Sequence, residues 1–269
     1  MKPPFNYTIF GASGYIGSAL KAHLESQGAV VSAPAKGEMP EGDLGRVIYC
    51  AGATQDFLAD PAYTLRAHVG DFSSLLTRGF DHCWYLSSVR LYDFSGVDTA
   101  FETTPVHVES ANPRSLFDAT KLCGEAMAFH GGRKNVSVAR LACVYGGNLD
   151  TRGFIHGLLE KVTSGGTESG SFLNILRDYI HIDDVCRALA MNPPAEGLVN
   201  FSSGRNVSNA ELFGTIEQAC GHCFGHRGVL PDYQPPPRID NRRFIAGFGF
   251  QPASVFEKIP SMPHPLNKP

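Results

Sequence analysis

The segment Gly11-Ala12-Ser13-Gly14-Tyr15-Ile16-Gly17 constrains this chain more than any other. It follows a short apolar run, Tyr7-Thr8-Ile9-Phe10. It precedes a stripe of Ile16, Leu20 and Leu24 at helical spacing, which Gly28 ends. Glycines in such a turn let the backbone approach a phosphate, and the helix N-terminus supplies N–H groups and the positive end of a dipole. A glycine pattern alone is weak evidence. Here it opens a strand–helix–strand unit, the context that a dinucleotide pyrophosphate requires. The bland alternative is a tight strand-to-helix turn with no ligand.

The rest of the chain repeats the alternation. Apolar strands are predicted at 30–33, 46–50, 83–86 and 136–141, and helices at 62–78 and 115–129. Strands alternating with helices imply a parallel sheet with right-handed crossovers, so the expected fold is α/β: a Rossmann-type doubly wound sheet with a smaller C-terminal lobe that binds substrate. The expected division is a dinucleotide-binding domain over 1–146, with 177–200 returning to it, and a substrate lobe from 147–176 and 201–269. One connection is short. About a dozen residues join the second strand to Arg46, hardly enough for a crossover, so a strand or helix of the usual fold is expected to be abbreviated there. The proline-rich stretch 231–237 reads as a surface connection.

Composition excludes several classes. The 269 residues are 43% hydrophobic and 18% charged, with a net charge of -3. This gives no basic surface for nucleic acid and no apolar run long enough to span a bilayer. The start, Met1-Lys2-Pro3-Pro4, lacks the apolar core of a signal peptide, so a cytoplasmic location is expected. Seven scattered cysteines fit a reducing compartment better than a disulfide framework. Cys220-Gly221-His222-Cys223, with His226 nearby, could hold zinc or act as a redox pair. However, it closes a helix rather than opening one, Gly221 stands where a C-terminal cap belongs, and no second ligand pair lies at zinc spacing. No metal is expected.

After the second strand the chain reads Ser32-Ala33-Pro34-Ala35-Lys36. An acid here would meet the ribose hydroxyls of NAD. None is present, and Lys36 could meet a 2′-phosphate, so the reading leans from NAD towards NADP. A solvated lysine is the competing reading.

Several further motifs stand in one order: Ala51-Gly52, Leu86-Ser87-Ser88-x-x-x-Tyr92, Lys121, and Arg140-x-x-x-Val144-Tyr145-Gly146. Arg177-Asp178-Tyr179-Ile180-His181-Ile182-Asp183-Asp184-Val185, Asn200-x-x-Ser203-Gly204 and Gly249-Phe250-x-Pro252 follow. With the glycine turn, this set resembles the extended short-chain dehydrogenase/reductases of the NAD-dependent epimerase/dehydratase family. The likeness covers nearly the whole chain, and its most specific piece is the segment from Arg177.

That resemblance implies NAD or NADP as cofactor, a nucleotide sugar as substrate, and a homodimer through the helix carrying Lys121. It implies cofactor contacts from Gly11, Ser13, Gly14, Tyr15, Ile16, Gly17, Lys36, Ala51, Gly52, Ala53, Ser87, Lys121 and Val144. Ser88 would bond the reacting hydroxyl or carbonyl, Lys121 would hold the nicotinamide ribose, and Arg177 would meet the diphosphate. Cys143, Arg238 and Arg242 are further candidates for substrate contact. Taken singly, Ser88 could be a strand-end cap, Lys121 a solvated lysine and Arg177 the ion-pair partner of Asp178.

The sequence also departs from the family. The catalytic pair is Tyr-x-x-x-Lys, whose spacing puts both side chains on one helix face. Here Phe117 stands at the tyrosine position of Phe117-Asp118-Ala119-Thr120-Lys121. A phenyl ring transfers no proton, and such transfer is worth roughly 10²–10⁴-fold in rate. Asp118 points about 100° further round the helix. Cys143 stands where many relatives carry Asn, Asp93 replaces Gly after Tyr92, and Val89-Arg90-Leu91 lacks the acid that dehydratases place there. The expected function is therefore an NAD(P)-dependent nucleotide-sugar epimerase or oxidoreductase with an altered proton relay. Its rival is a catalytically silent protein that binds the dinucleotide and the sugar.

Overall fold

The computed structural model describes residues 6–53, 57–147, 153–163, 168–191, 197–221 and 225–261. Six parallel strands form the main sheet. Their spatial order is Gly197–Phe201, Val136–Leu141, His82–Ser88, Arg46–Tyr49, Asn6–Phe10, Val30–Ser32. The order reverses direction beside Asn6–Phe10, as a doubly wound sheet does, and ligands bind at such a switch point beyond the carboxyl ends of the strands. In the usual order a further strand lies outside the second one. Here Val30–Ser32 is itself the edge, and no helix intervenes before Arg46. The short connection is the physical reason: 33–45 cannot supply both a crossover helix and an extra strand.

Alternation along the strands sends side chains to two separate cores. Ile9, Ile48, Trp84, Leu86 and Val199 pack on one face with the Tyr15–Ser26 and Ile182–Ala190 helices. Phe10, Val47, Tyr49, Cys83, Tyr85 and Val138 pack on the other with Phe72 and Leu75. A third core, with Tyr145, Tyr179, Leu212, Phe213 and Ile216, belongs to the smaller region around a three-stranded sheet of Cys143–Tyr145, Leu176–His181 and Asn206–Ser208.

The helix expected over 62–78 runs as Pro61–Leu65 and Asp71–Leu75, with a π-helical turn at Arg66–Gly70 between them. Widening the turn frees carbonyls from the ordinary ladder. Two buried tyrosines take them: Tyr49 donates to Ala67 at 2.6 Å and Tyr85 to His68 at 3.0 Å. Gly124 of the Ser115–His130 helix packs directly on this turn. A Cβ there would lie 2.8 Å from the His68 carbonyl and would collide with the Tyr85 hydroxyl.

The same helix is tied to the sheet by charge. Glu125 accepts from Arg140 Nε at 2.8 Å and Nη2 at 2.5 Å, and from Ser87 Oγ at 2.5 Å. Both side chains are nearly sealed from water, at 3% and 5% exposure. A buried pair is costly to break because the surviving charge is left unpaired, by about 3–5 kcal/mol. Glu125→Gln is expected to cost about that much on unfolding by denaturant. Glu125→Gln combined with Arg140→Met is expected to recover a large part of it. A single variant as stable as the wild type would contradict this account.

Candidate active site at the carboxyl ends of the strands

The glycine turn crosses the end of the first strand, and each glycine has its own reason. Gly11 holds φ +81°, and a Cβ there would lie 2.7 Å from the Ala51 nitrogen. A Cβ on buried Gly17 would lie 2.9 Å from Ala12 Cα, with the Gly11 carbonyl closer still. Both therefore serve chain packing. Gly14 differs: it is exposed, and its Cβ would meet only the Gly11 carbonyl, at 3.3 Å. It is the N-cap of Tyr15–Ser26, and no side chain caps the helix. Uncapped amides beside an exposed glycine with a single atom near its missing side chain fit a pyrophosphate. Ser13 is also exposed there, whereas Ile16 packs on the core and the Tyr15 hydroxyl donates to the Gly146 carbonyl at 2.6 Å.

Ala51, Gly52 and Ala53 follow the Arg46–Tyr49 strand, half-buried. Gly52 lies against His68 and Lys121: its Cβ would be 2.7 Å from His68 Nε2 and 3.4 Å from Lys121 Nζ. Lys121 is buried and donates to the Leu86 carbonyl at 2.9 Å. Burial pushes its ammonium down to about 8, against the pull of Glu125 one turn along. It is no solvated lysine. His68, on the π turn, was not singled out in the sequence. Its Nε2 accepts from the Ala53 N–H at 3.2 Å and its Nδ1 meets Thr120 Oγ at 2.8 Å. Burial, with Lys121 beside it, lowers the imidazole to about 3, so it is neutral.

Phe117 is buried one turn before Lys121, as the helix spacing requires. Its ring packs edge-on against His68, with centroids 5.7 Å apart, and beside Phe57 at 5.7 Å. Asp118 turns away and receives Arg114 Nε on both oxygens, at 3.1 and 2.9 Å.

Ser88 ends its strand half-buried. Its Oγ accepts from the Arg90 N–H at 3.2 Å, which leaves the hydroxyl proton available for donation. The neighbouring Ser87 hydroxyl, expected at the cofactor, is given to Glu125. Cys143 is half-buried, and burial raises its thiol despite Arg177 and Arg90 nearby. Val144 sits on the same short strand, paired with Ile180.

The acids of the longest motif turn out to be staples. Asp178 does not pair with Arg177. Its carboxylate receives the N–H groups of Ser203, Gly204 and Arg205 and the Ser203 hydroxyl, at 2.8–3.1 Å. Burial still raises its acid to about 7. Asp184 receives the Ala253 N–H at 2.8 Å, just beyond Gly249-Phe250-Gln251-Pro252. Tyr92 donates to Asn200 at 2.9 Å across 108 residues of chain. The separate motifs are thus physically bonded to one another. Arg177 itself donates to the Leu176 carbonyl at 2.7 Å.

Three expected residues lie apart. Lys36 is exposed, with its ammonium 3.5 Å from the centre of the Tyr63 ring, and Arg66 approaches the same ring at 5.6 Å. Arg238 and Arg242 line a cavity of about 450 Å³ with Phe101, Gly204 and Gln251. Neither Ser88, Lys121 nor Arg177 borders it, and Arg242 is paired with Asp240 at 2.8 Å. Among the described residues no three His, Cys, Asp or Glu side chains gather as a metal site, and no helix is long and apolar enough to cross a membrane. Gly221 caps its helix at φ +68°, while His222 and Cys223 lie outside the described residues.

Comparison with known proteins agrees with this fold. The structure of MoeE5 in complex with UDP-glucose and NAD is similar at a TM-score of 0.76 and 22% identity, covering 96% of this chain and 97% of that one. UDP-glucose 4-epimerase from Thermotoga maritima, with UDP-glucose, reaches 0.78 at 20% identity over the same shares. RMD from Pseudomonas aeruginosa complexed with NADPH reaches 0.75 at 20% identity, again over 96% and 97%. No curated protein matches the sequence. The model of the NAD dependent epimerase/dehydratase family matches residues 7–193, and the chain belongs to that family.

Proposed function

We propose that this protein is an NAD(P)-dependent enzyme that epimerises or oxidises and reduces a nucleotide sugar, with a proton relay that contains no tyrosine. The observation that carries the reading is the buried Lys121, held beside Gly52 on the helix face that the family uses. The similar structures with NAD, NADPH and UDP-glucose bound support the ligand classes. The amides at Gly14 would hold the pyrophosphate, with Gly52 and Lys121 further along. The bound nicotinamide would accept or return a hydride at the sugar.

The chain's own part is to place the sugar and move a proton. Ser88 Oγ has a proton to donate to a sugar oxygen, and Arg177 supplies a fork for the diphosphate. Lys121 titrates near neutral pH, which suits a general acid or base. Oxidising a sugar hydroxyl requires the relay to accept a proton, so Lys121 must be neutral. Turnover in that direction is expected to rise with pH through about 8, and Lys121→Arg is expected to abolish that limb. A flat profile from pH 7 to 9 would remove Lys121 from the relay.

One observation favours the silent alternative: Phe117 is not an empty position but a ring packed between His68 and Phe57. Phe117→Tyr separates the readings. On the proposed reading it creates or raises turnover on UDP-, dTDP- or GDP-sugars, because a nearby ammonium favours the phenolate. A wild type active and faster than the variant assigns the ring to shaping the pocket. A wild type and variant both inert on the whole panel establish the silent binder.

For the cofactor, NADP(H) is expected to bind at least as tightly as NAD(H) in isothermal titration, given the exposed Lys36 and the absence of an acid at 32–36. The nearby Glu38 carboxylate is turned onto the Ala35 N–H. A several-fold preference for NAD(H) contradicts the Lys36 argument. Gly14→Val is expected to abolish binding of both with little change in melting temperature, whereas Gly17→Val is expected to lower the melting temperature as well.

A further inference from the structure

Arg90 leaves the chain two residues after Ser88, on the short Val89–Tyr92 turn, and its own backbone N–H donates to Ser88 Oγ. A ligand that touches Ser88 therefore lies beside the root of this side chain. Arg114 and Arg177 stand close to it, with Asp93 and Asp118 as the nearby acids.

Arg114 takes both acids. Its Nε binds the two oxygens of Asp118, its Nη1 binds Asp93 at 2.6 Å, and its Nη2 binds the Arg90 carbonyl at 2.8 Å. Arg90 is left with a distant ion pair: Nε stands 3.7 Å from Asp93, beyond hydrogen-bond reach, and is buried without a hydrogen-bond partner. Its side chain as a whole is still 43% exposed. Arg177 has no carboxylate partner among the described residues, and the Cys143 thiol feels both guanidiniums. Burial and then the charge of Arg114 weaken the hold of Arg90 on its proton. A partly desolvated cation with two guanidiniums nearby and a carboxylate only at 3.7 Å is incompletely compensated, and such arrangements cluster where a ligand supplies the missing charge.

We infer that Arg90 is a subsite for a negatively charged group on the sugar itself, with Arg177 left to the diphosphate, and that the preferred substrate is a nucleotide-activated sugar acid. The inference rests on the nucleotide-sugar reading above. The attachment of Arg90 to the Ser88 turn places it at the reacting end of the substrate, not at the diphosphate. A carboxylate matches the guanidinium fork with two parallel bonds. Cys143 leaves that task to Arg90, because a thiol is a weak hydrogen-bonding group.

Isothermal titration with matched pairs, UDP-glucose against UDP-glucuronate and GDP-mannose against GDP-mannuronate, tests this directly. In at least one pair the sugar acid is expected to bind about tenfold tighter or more, the usual scale for a charge-assisted bond. Arg90→Met is expected to erase that preference, to leave the neutral sugar within about twofold, and to keep or raise the melting temperature. Neutral sugars that bind as tightly as the acids overturn the subsite while the nucleotide-sugar reading stands. A parallel loss of both sugars in Arg90→Met assigns Arg90 to the diphosphate and overturns it too. A lower melting temperature with weakened cofactor binding makes the arginine structural. Binding of no nucleotide sugar overturns this inference and the reading beneath it.

Discussion

The Glu125 carboxylate holds the functional helix in place. It takes a bidentate grip from Arg140 on one strand and a hydroxyl from Ser87 on the next, so it fixes the Ser115–His130 helix in both height and rotation over the sheet. Lys121 lies one turn before it and Phe117 one turn earlier. Their positions at the site follow from that clamp. The clamp also tunes the site, because the nearby negative charge partly offsets the burial that pushes the Lys121 ammonium down. Gly124 completes the arrangement by letting the helix touch the π turn that carries His68.

Much of the fold is legible in the sequence because it depends on local periodicity. The strand pattern gives a parallel sheet, and the short segment before Arg46 foretells the missing crossover. The glycine turn is equally legible, since a strand, a turn and a helix stand next to each other in the chain. What is hidden depends on contacts between distant residues. Nothing near His68 in sequence marks it as the neighbour of Lys121; a π turn and two tyrosines from other strands bring it there. Asp178 stands beside Arg177 in the chain, but strand alternation sends its carboxylate to the Ser203–Arg205 turn. Ser87, one residue from Ser88, likewise faces the other way, into the Glu125 clamp.

Several residues of the family's motifs serve the fold in this chain. Asp178 and Asp184 bind the Ser203–Arg205 turn and Ala253, and Tyr92 binds Asn200 of the main sheet, so these residues serve the fold whatever the chemistry. Phe117 packs its ring against His68 and Phe57 instead. Fold and site are therefore separable here, and the surviving Lys121 and Ser88 carry the argument for catalysis.

The central claim is that proton transfer here runs through Lys121 and Ser88 without a tyrosine. A crystal structure with bound NADP(H) or NAD(H) and a nucleotide sugar tests it most directly. The account requires Ser88 Oγ within hydrogen-bond reach of the sugar oxygen at the carbon facing nicotinamide C4. It also requires Lys121 Nζ moved from the Leu86 carbonyl onto the ribose or that oxygen. A complex in which Lys121 stays on Leu86 and another side chain holds the reacting oxygen would contradict it.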